Sequence, residues 1–424
     1  MFRTPRPYIL LWSFAIPIYY LLFGFKTTYI PLGFTRVEAF SGFLPIVLSV
    51  MAYLKLTENE RSRAFKYVPK VWLAFLIYYG ASLMWSDNFG TGIRTFIQLA
   101  FPTVLFIIAF NSIQGDKHLD KYFKYLIILN ALVAAFDLYY TVTGWGAIEH
   151  FGAKNDGAVG YRTVTAYFYT TLSIILLMQI MDKFKWSTFA LFFVNVTLIV
   201  LAASRTPTVV FLAGAAVAVI MRRNVKFTVV GILGLSALIA LILVLPSRQK
   251  FLTTDDNLNT RDSGRGFFQK YFRDKAEQGP LWGWGAGGTE LQAKWITQNV
   301  TPVGAPHDEF LRIRYDGGII GYYLFWAGLI HLLISGLLLG RYVKGYFHFK
   351  AVLVITPIMF AISCTNDNTF YYFYVFTQYL FVMMGFAARL AYEEKVALGK
   401  EHLTLTTEEE ELVASFEPEL VPAR

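Results

Sequence analysis

One cysteine, Cys364, is all that the 424 residues contain. That excludes an intramolecular disulfide framework and any multi-cysteine zinc or iron–sulfur site. Charge is scarce as well: Asp, Glu, Lys and Arg make up 16% of the chain, against roughly 25% in an ordinary soluble domain. Histidine occurs six times, so few side chains can do acid–base work near neutral pH. The chain has no Gly-x-Ser-x-Gly elbow, no Walker lysine and no internal repeat, which removes the usual handles for hydrolases and nucleotide-driven enzymes. The acid and amide pairs Asp255-Asp256 and Asn366-Asp367-Asn368 have no histidine nearby in sequence, so no metal site is expected.

What is present is apolar. Hydrophobic residues reach 55% and aromatics 17%, a composition that needs lipid as its solvent. Apolar runs recur at 8–24, 39–54, 71–85, 93–113, 122–143, 163–181, 186–203, 207–221, 227–245, 318–340, 351–364 and 369–388. Several fall short of the ~20 residues that cross a bilayer, so their ends are expected to run into polar positions. The pattern predicts an all-α integral membrane protein of about twelve transmembrane helices, the first of them retained rather than cleaved as a signal peptide. A large extracytoplasmic loop containing short helices separates helices nine and ten. The implied divisions are 1–245 for helices one to nine, 246–317 for the loop, 318–390 for helices ten to twelve and 391–424 for an acidic cytoplasmic tail.

Net charge is +9, yet the tail from Ala391 carries three basic and nine acidic side chains, leaving +15 on the first 390 residues. Because the basic residues lie between apolar runs, they orient helices and do not bind nucleic acid. Eighteen Lys and Arg fall at the amino terminus and in one set of alternate short loops, and six in the other. The positive-inside rule then places both termini in the cytoplasm. The 72-residue connection 246–317 lies outside, and its length marks a lid or a working surface. Within it Phe267, Phe268, Tyr271 and Phe272 have the spacing of a short helix with an aromatic face, suited equally to the membrane interface and to packing on the bundle.

That topology leaves only His150 and His307 facing outward, with His331 inside span ten as a hydrogen-bonded core residue. If a helix starts at Pro306, then His307, Leu311 and Arg314 share one face. Arg205 is pinned at the outer surface by the tight Ala202-Ala203-Ser204-Arg205-Thr206-Pro207 connection, and Arg261 and Arg265 flank Asp262-Ser263-Gly264 in the loop. A planar guanidinium suits a diphosphate at a bilayer surface, although snorkelling and plain solvation account for such arginines equally. Pro280-Leu281-Trp282-Gly283-Trp284-Gly285-Ala286-Gly287-Gly288 matches Gly-x-Gly-x-x-Gly without a preceding strand, so its glycines are expected to serve tight backbone turns rather than a nucleotide.

Together Ser204-Arg205 at an outer turn, Arg265, the Pro280–Gly288 stretch, Pro306-His307-Asp308-Glu309-Phe310-Leu311 and Asp316-Gly317-Gly318-Ile319-Ile320-Gly321 resemble the O-antigen ligase and polymerase superfamily, mainly over 195–340. The family usually has His-Asn where this chain has His307-Asp308. The resemblance implies a glycosyltransferase of the bacterial inner membrane that takes a glycan from undecaprenyl diphosphate on the outer side, without a cofactor. His307 would be the base, and Arg205 and Arg265, with Arg261 and Arg314, would hold the diphosphate; Asp308 and Glu309 would support them. Partners would be the lipid-linked donor, a glycan or lipid A core acceptor, membrane lipid and a chain-length regulator. The wording at 306–312 and Thr365-Asn366-Asp367-Asn368-Thr369 leans towards a repeat-unit polymerase; a ligase is the alternative, and a transporter or flippase a more distant one.

Overall fold

The computed structural model describes residues 49–112, 115–143, 162–202, 204–222, 263–299, 308–342, 347–365 and 380–398. His307, Arg261, His150, the apolar runs at 8–24 and 227–245, most of those at 39–54 and 369–388, and the tail beyond 398 lie outside the described residues. Among the described residues the structure is helical throughout, with no strand. In chain order the helices are α1 (Glu58–Phe65), α2 (Lys70–Ala81), α3 (Phe89–Ser112), α4 (Gly115–Thr143), α5 (Arg162–Asp182), α6 (Trp186–Leu201), α7 (Arg205–Arg222), α8 (Ser263–Gln278), α9 (Gly288–Asn299), α10 (Glu309–Leu339), α11 (Phe347–Cys364) and α12 (380–398).

Among the described residues two helices, Phe89–Ser112 and Glu309–Tyr342, are long and apolar enough to cross a membrane by length and composition. The shorter apolar helices Phe123–Ala135, Ala166–Asp182, Trp186–Leu201, Thr206–Arg222 and Leu353–Cys364 coincide with the runs read from the sequence.

The bundle closes around α2, which packs along α10. Trp72 is fully buried, its ring 5.4 Å from Phe75, 5.4 Å from Phe381 and 6.2 Å from Phe325, and its indole N–H donates to Thr103 Oγ1 at 3.2 Å. Buried indole needs such a partner, since an unmade hydrogen bond in the interior costs about 1–3 kcal/mol. Small residues let the helix axes approach: a Cβ at Gly328 would meet Trp72 Cε3 at 3.2 Å, and one at Gly336 would meet the Leu353 carbonyl at 2.4 Å. His331, expected as a core residue, is only half-buried beside this contact, its Nδ1 accepting the Val71 N–H at 3.2 Å at the otherwise unsatisfied start of α2. On the other side of the bundle α5 packs on α6, α7 and α11. A buried amide pair there, Asn130 with Asn195, exchanges hydrogen bonds of 2.9 and 3.3 Å between α4 and α6.

α10 is not one straight rod. Gly318 has φ 64° and ψ −163°, a combination open essentially to glycine alone. The Phe310 ring stacks on Trp326 with centroids 4.3 Å apart and lies 5.4 Å from Phe325. In a continuous helix residues 310 and 326 would stand about 24 Å apart. The chain therefore reverses at Gly318, and 309–317 runs back along 319–326. The Arg314 guanidinium, 5.7 Å from the Tyr322 ring centroid, is part of the same antiparallel contact. What can cross a membrane is thus 319–342, about 36 Å at 1.5 Å per residue.

Candidate functional site

The glycine-rich turn and the reversal in α10 interlock. Gly283, Gly285 and Gly287 have φ of 81°, 92° and 78°, which a side chain would make costly. Space forbids one too. A Cβ at Gly283 would lie 2.3 Å from the Asp316 carbonyl, and one at Gly285 would lie 2.6 Å from Ser86 Cα. The turn's backbone is used up in this seat: Trp284 N–H donates to Tyr315 O at 3.0 Å and Gly285 N–H to Asp316 O at 2.9 Å. Ser86 Oγ donates to Ala286 O at 2.7 Å, tying the turn to the short connection between α2 and α3.

Asp316 gathers the pieces. Its carboxylate is fully buried. Oδ1 accepts the Thr289 N–H and the Thr289 hydroxyl, both at 2.7 Å; Oδ2 accepts the Tyr79 hydroxyl at 2.6 Å and the Gly287 N–H at 3.2 Å. Four donors from α2, the glycine turn and α9 thus converge on one side chain from the reversed arm. Tyr78, next along, shares its one hydroxyl proton between the carbonyls of Gly317 at 2.8 Å and Trp282 at 3.2 Å. An ionised acceptor filled by four donors holds these elements in one geometry.

The arm held in this way begins at Asp308, which caps the helix by accepting the Leu311 N–H at 3.0 Å. Burial raises the Asp308 carboxyl above its ordinary range, while the Leu311 and Phe310 N–H groups and the charge on Arg273 pull the other way. Within the first turn after the cap, Glu309 and Arg312 form a buried ion pair. Two charges taken from water are kept only with close pairing, so this pair fixes how the arm's first turn is rotated. The outer flank of the arm is covered by α8 and α9. Phe268 and Phe272 are fully buried with Ala293, Ile296, Leu311 and Tyr315, and the Phe272 and Tyr315 rings meet edge-on at 5.0 Å. An exposed ion pair of 3.0 Å joins Arg94 at the start of α3 to Glu290 on α9.

The residues singled out in the sequence fall as follows. Arg205 opens α7 after a tight turn from the end of α6 at Leu201; α7 packs on α5 and α11, with the Thr170 hydroxyl donating to Pro207 O at 3.2 Å. Arg265 lies in the first turn of α8, one turn before Phe268, on the helix that packs against the reversed arm. Arg314 is half-buried over Tyr322. His307 lies outside the described residues; of the face expected from a helix starting at Pro306, Leu311 packs towards Phe268 and Arg314 lies over Tyr322. Asp308 is the N-cap of the described helix, its side chain satisfying one of the first-turn N–H groups that would otherwise lack a partner. Of the aromatic face on α8, Phe268 and Phe272 serve packing, while Phe267 stays exposed. Glu309 belongs to the ion pair with Arg312.

Sequence reasoning missed Arg312, Tyr79 and Thr289, and took Asp316 only as part of a familiar run of letters. Two signals were available. Glu309 and Arg312 are spaced i, i+3 just where the helix becomes apolar, and Tyr78-Tyr79 place two hydroxyls near the end of an otherwise apolar run.

No curated protein matches the chain. A family model described as O-antigen ligase matches residues 190–326, a stretch that runs from α6 through the glycine turn and the reversal of α10 into the segment that follows. Residues 190–326 are about a third of the chain, and over that stretch the match supports the resemblance to the O-antigen ligase and polymerase superfamily.

Proposed function

We propose that the chain is a membrane glycosyltransferase that moves a glycan from an undecaprenyl diphosphate carrier to a hydroxyl of an acceptor sugar on the outer side of the bacterial inner membrane. The observation that carries this reading is the extent of the family match: residues 190–326 contain every residue with a proposed role. His307, next to the Asp308 cap, takes the proton from the acceptor hydroxyl as that oxygen forms its bond to the anomeric carbon. The bond from that carbon to the phosphate oxygen breaks, and the electron pair leaves with the lipid diphosphate. A positioned base adds roughly 10² to 10⁴ in rate. Arg205 and Arg265, with Arg261 and Arg314, hold the diphosphate and offset the charge that grows on it. Asp308 and Glu309 act on the arm and not on substrate. A lipid diphosphate is a good leaving group without a metal or a protonating acid, and a single displacement inverts the anomeric centre.

The orientation follows the positive-inside count: both termini cytoplasmic, 246–317 outside, twelve spans in all. The description of the matched family favours a ligase, in which the acceptor is lipid A core. The wording of 306–312 and of Thr365–Thr369 supports the second reading, a polymerase that extends lipid-linked repeats with a chain-length regulator. One reaction separates them: purified protein with a defined carrier-linked repeat, with and without lipid A core. Product on the core identifies a ligase, and repeats growing on the carrier a polymerase. His307→Ala should abolish turnover while keeping the fold; wild-type turnover by that variant removes His307 from the mechanism.

A further inference from the structure

The glycine turn that seats Asp316 carries an exposed apolar tip. Leu281 is 66% exposed and Trp282 53%. The tip lies against the outer end of the 319–342 arm: the Ile320 N–H points to the Leu281 carbonyl at 3.5 Å, and the Tyr78 hydroxyl fixes the Trp282 carbonyl at 3.2 Å. Beside it on the arm Ile320 is 43% exposed and Tyr323 64%. The exposure continues along the arm through Ile330, Ile334 and Leu337. These five positions follow helical spacing and make one apolar stripe on one face. From Ile320 to Leu337 the stripe is about 26 Å long, close to the ~30 Å thickness of a bilayer's hydrocarbon core. The tip sits at its upper end.

We propose that Leu281 and Trp282, with Ile320 and Tyr323, form a lipid-docking surface at the outer membrane interface, and that this makes 309–317 a re-entrant helix whose first turn lies below the headgroup plane. Three observations select lipid as the occupant. The surface is continuous with the apolar stripe. No residue from Pro280 to Gly288 carries a charge, and the most exposed member of the tip is aliphatic. A sugar stacked on Trp282 would need several hydrogen-bonding side chains around it to read its hydroxyls, and Leu281, Trp282, Ile320 and Tyr323 offer only one indole N–H and one phenol hydroxyl. Trp and Tyr at the end of an apolar stripe have instead the placement of an aromatic belt.

The depth of the first turn follows from the reversal. Phe310 stacks on Trp326, eight residues past Gly318, so it lies about 12 Å down the arm from the turn. Buried charge at that depth is tolerated because Glu309 and Arg312 pair with each other inside protein and do not face lipid.

The test uses the full chain in lipid vesicles and needs no turnover, so its failure is distinct from failure of the transferase reading. The tryptophan emission of Trp282→Phe is subtracted from that of wild type, in plain phosphatidylcholine vesicles and in vesicles brominated either near the headgroup end or near the terminus of the acyl chains. The difference signal should lose most of its intensity to the shallow bromines, less to the deep ones and little to aqueous iodide. Strong iodide quenching with none from brominated lipid overturns the proposal, and protection from iodide by soluble glycan would assign the tip to the acceptor instead. Quenching greatest with the deep bromines also overturns it, because the tip would then lie inside the hydrocarbon.

Discussion

Replacing Asp316 by asparagine keeps its shape and removes its charge, and the structure says what that should cost. Oδ1 and Oδ2 each accept two donors. An amide has one oxygen, so it can keep only one of these pairs. Whichever way the amide turns, its NH₂ faces a buried backbone N–H, that of Gly287 or that of Thr289, and no rotation makes an N–H accept. The stranded donor costs about 1–3 kcal/mol, and the retained bonds lose the extra strength that a charged acceptor confers, so the loss is on the order of 3–5 kcal/mol. Tyr79→Phe removes one donor and leaves the carboxylate three, so it should cost about 1–2 kcal/mol. Unfolding in mixed micelles with a rising fraction of denaturing detergent measures both. A loss within about 1 kcal/mol of zero for Asp316→Asn would refute the reasoning, because it would mean that the four contacts do not order this region.

Gly318→Ala tests the reversal itself: a Cβ there would lie 2.1 Å from the Leu281 carbonyl and 2.4 Å from Gly283 N. The backbones must part, adding to the ~1–3 kcal/mol of conformational strain, and limited proteolysis should gain a cut near 281–283; an unchanged thermal midpoint would count against the turn. Arg312→Met should lose about 3–5 kcal/mol by stranding Glu309, and the double change Glu309→Gln with Arg312→Met should recover much of that; a double mutant no more stable than the single one contradicts the pairing. The Asp308 carboxyl is raised above its ordinary 3.8 by burial, so between that value and the raised one the native state holds more protons than the unfolded state. Stability should therefore fall as pH rises through that window and level off above it. Asp308→Asn should flatten the slope, and an unaltered slope in stability measured against pH would show that another group causes it.

The sequence made the helices legible and the corner illegible. Runs such as 186–203 and 207–221 become α6 and α7 with ends displaced by a residue or two, because a long apolar run with a Ser-Arg break has few alternatives. The glycine pattern at 283–288 correctly announced tight turns, since three glycines so close together have little use elsewhere. It could not show what the turns wrap around. The partner of the turn is Asp316, some thirty residues on, and Tyr79, more than two hundred residues back, and contacts at those separations leave no periodic trace. The apolar count also hid the reversal. The apolar run read as span ten starts at 318 and leaves 309–317 to the outer loop, and no periodicity in either stretch shows that one folds back along the other.

That hidden reversal changes how the charges near His307 are understood. In a straight helix, Glu309, Arg312, Arg314 and Asp316 would stand above the membrane in water, where an ion pair contributes little. Folded back, they are packed between α2, α8 and the long arm, and each has a task its surroundings impose: Asp308 caps, Glu309 and Arg312 neutralise each other, Arg314 lies on Tyr322, and Asp316 holds the corner. Charges spent in this way cannot also carry substrate without releasing what they hold. Arg314 has the weakest hold, a contact with an aromatic face worth about 0.5–2 kcal/mol, so of the charges on the reversed arm it is the one that a diphosphate could recruit at least cost to the fold. Under the proposed transfer, the other diphosphate contacts would fall to Arg205 at the start of α7, Arg265 in the first turn of α8 and Arg261.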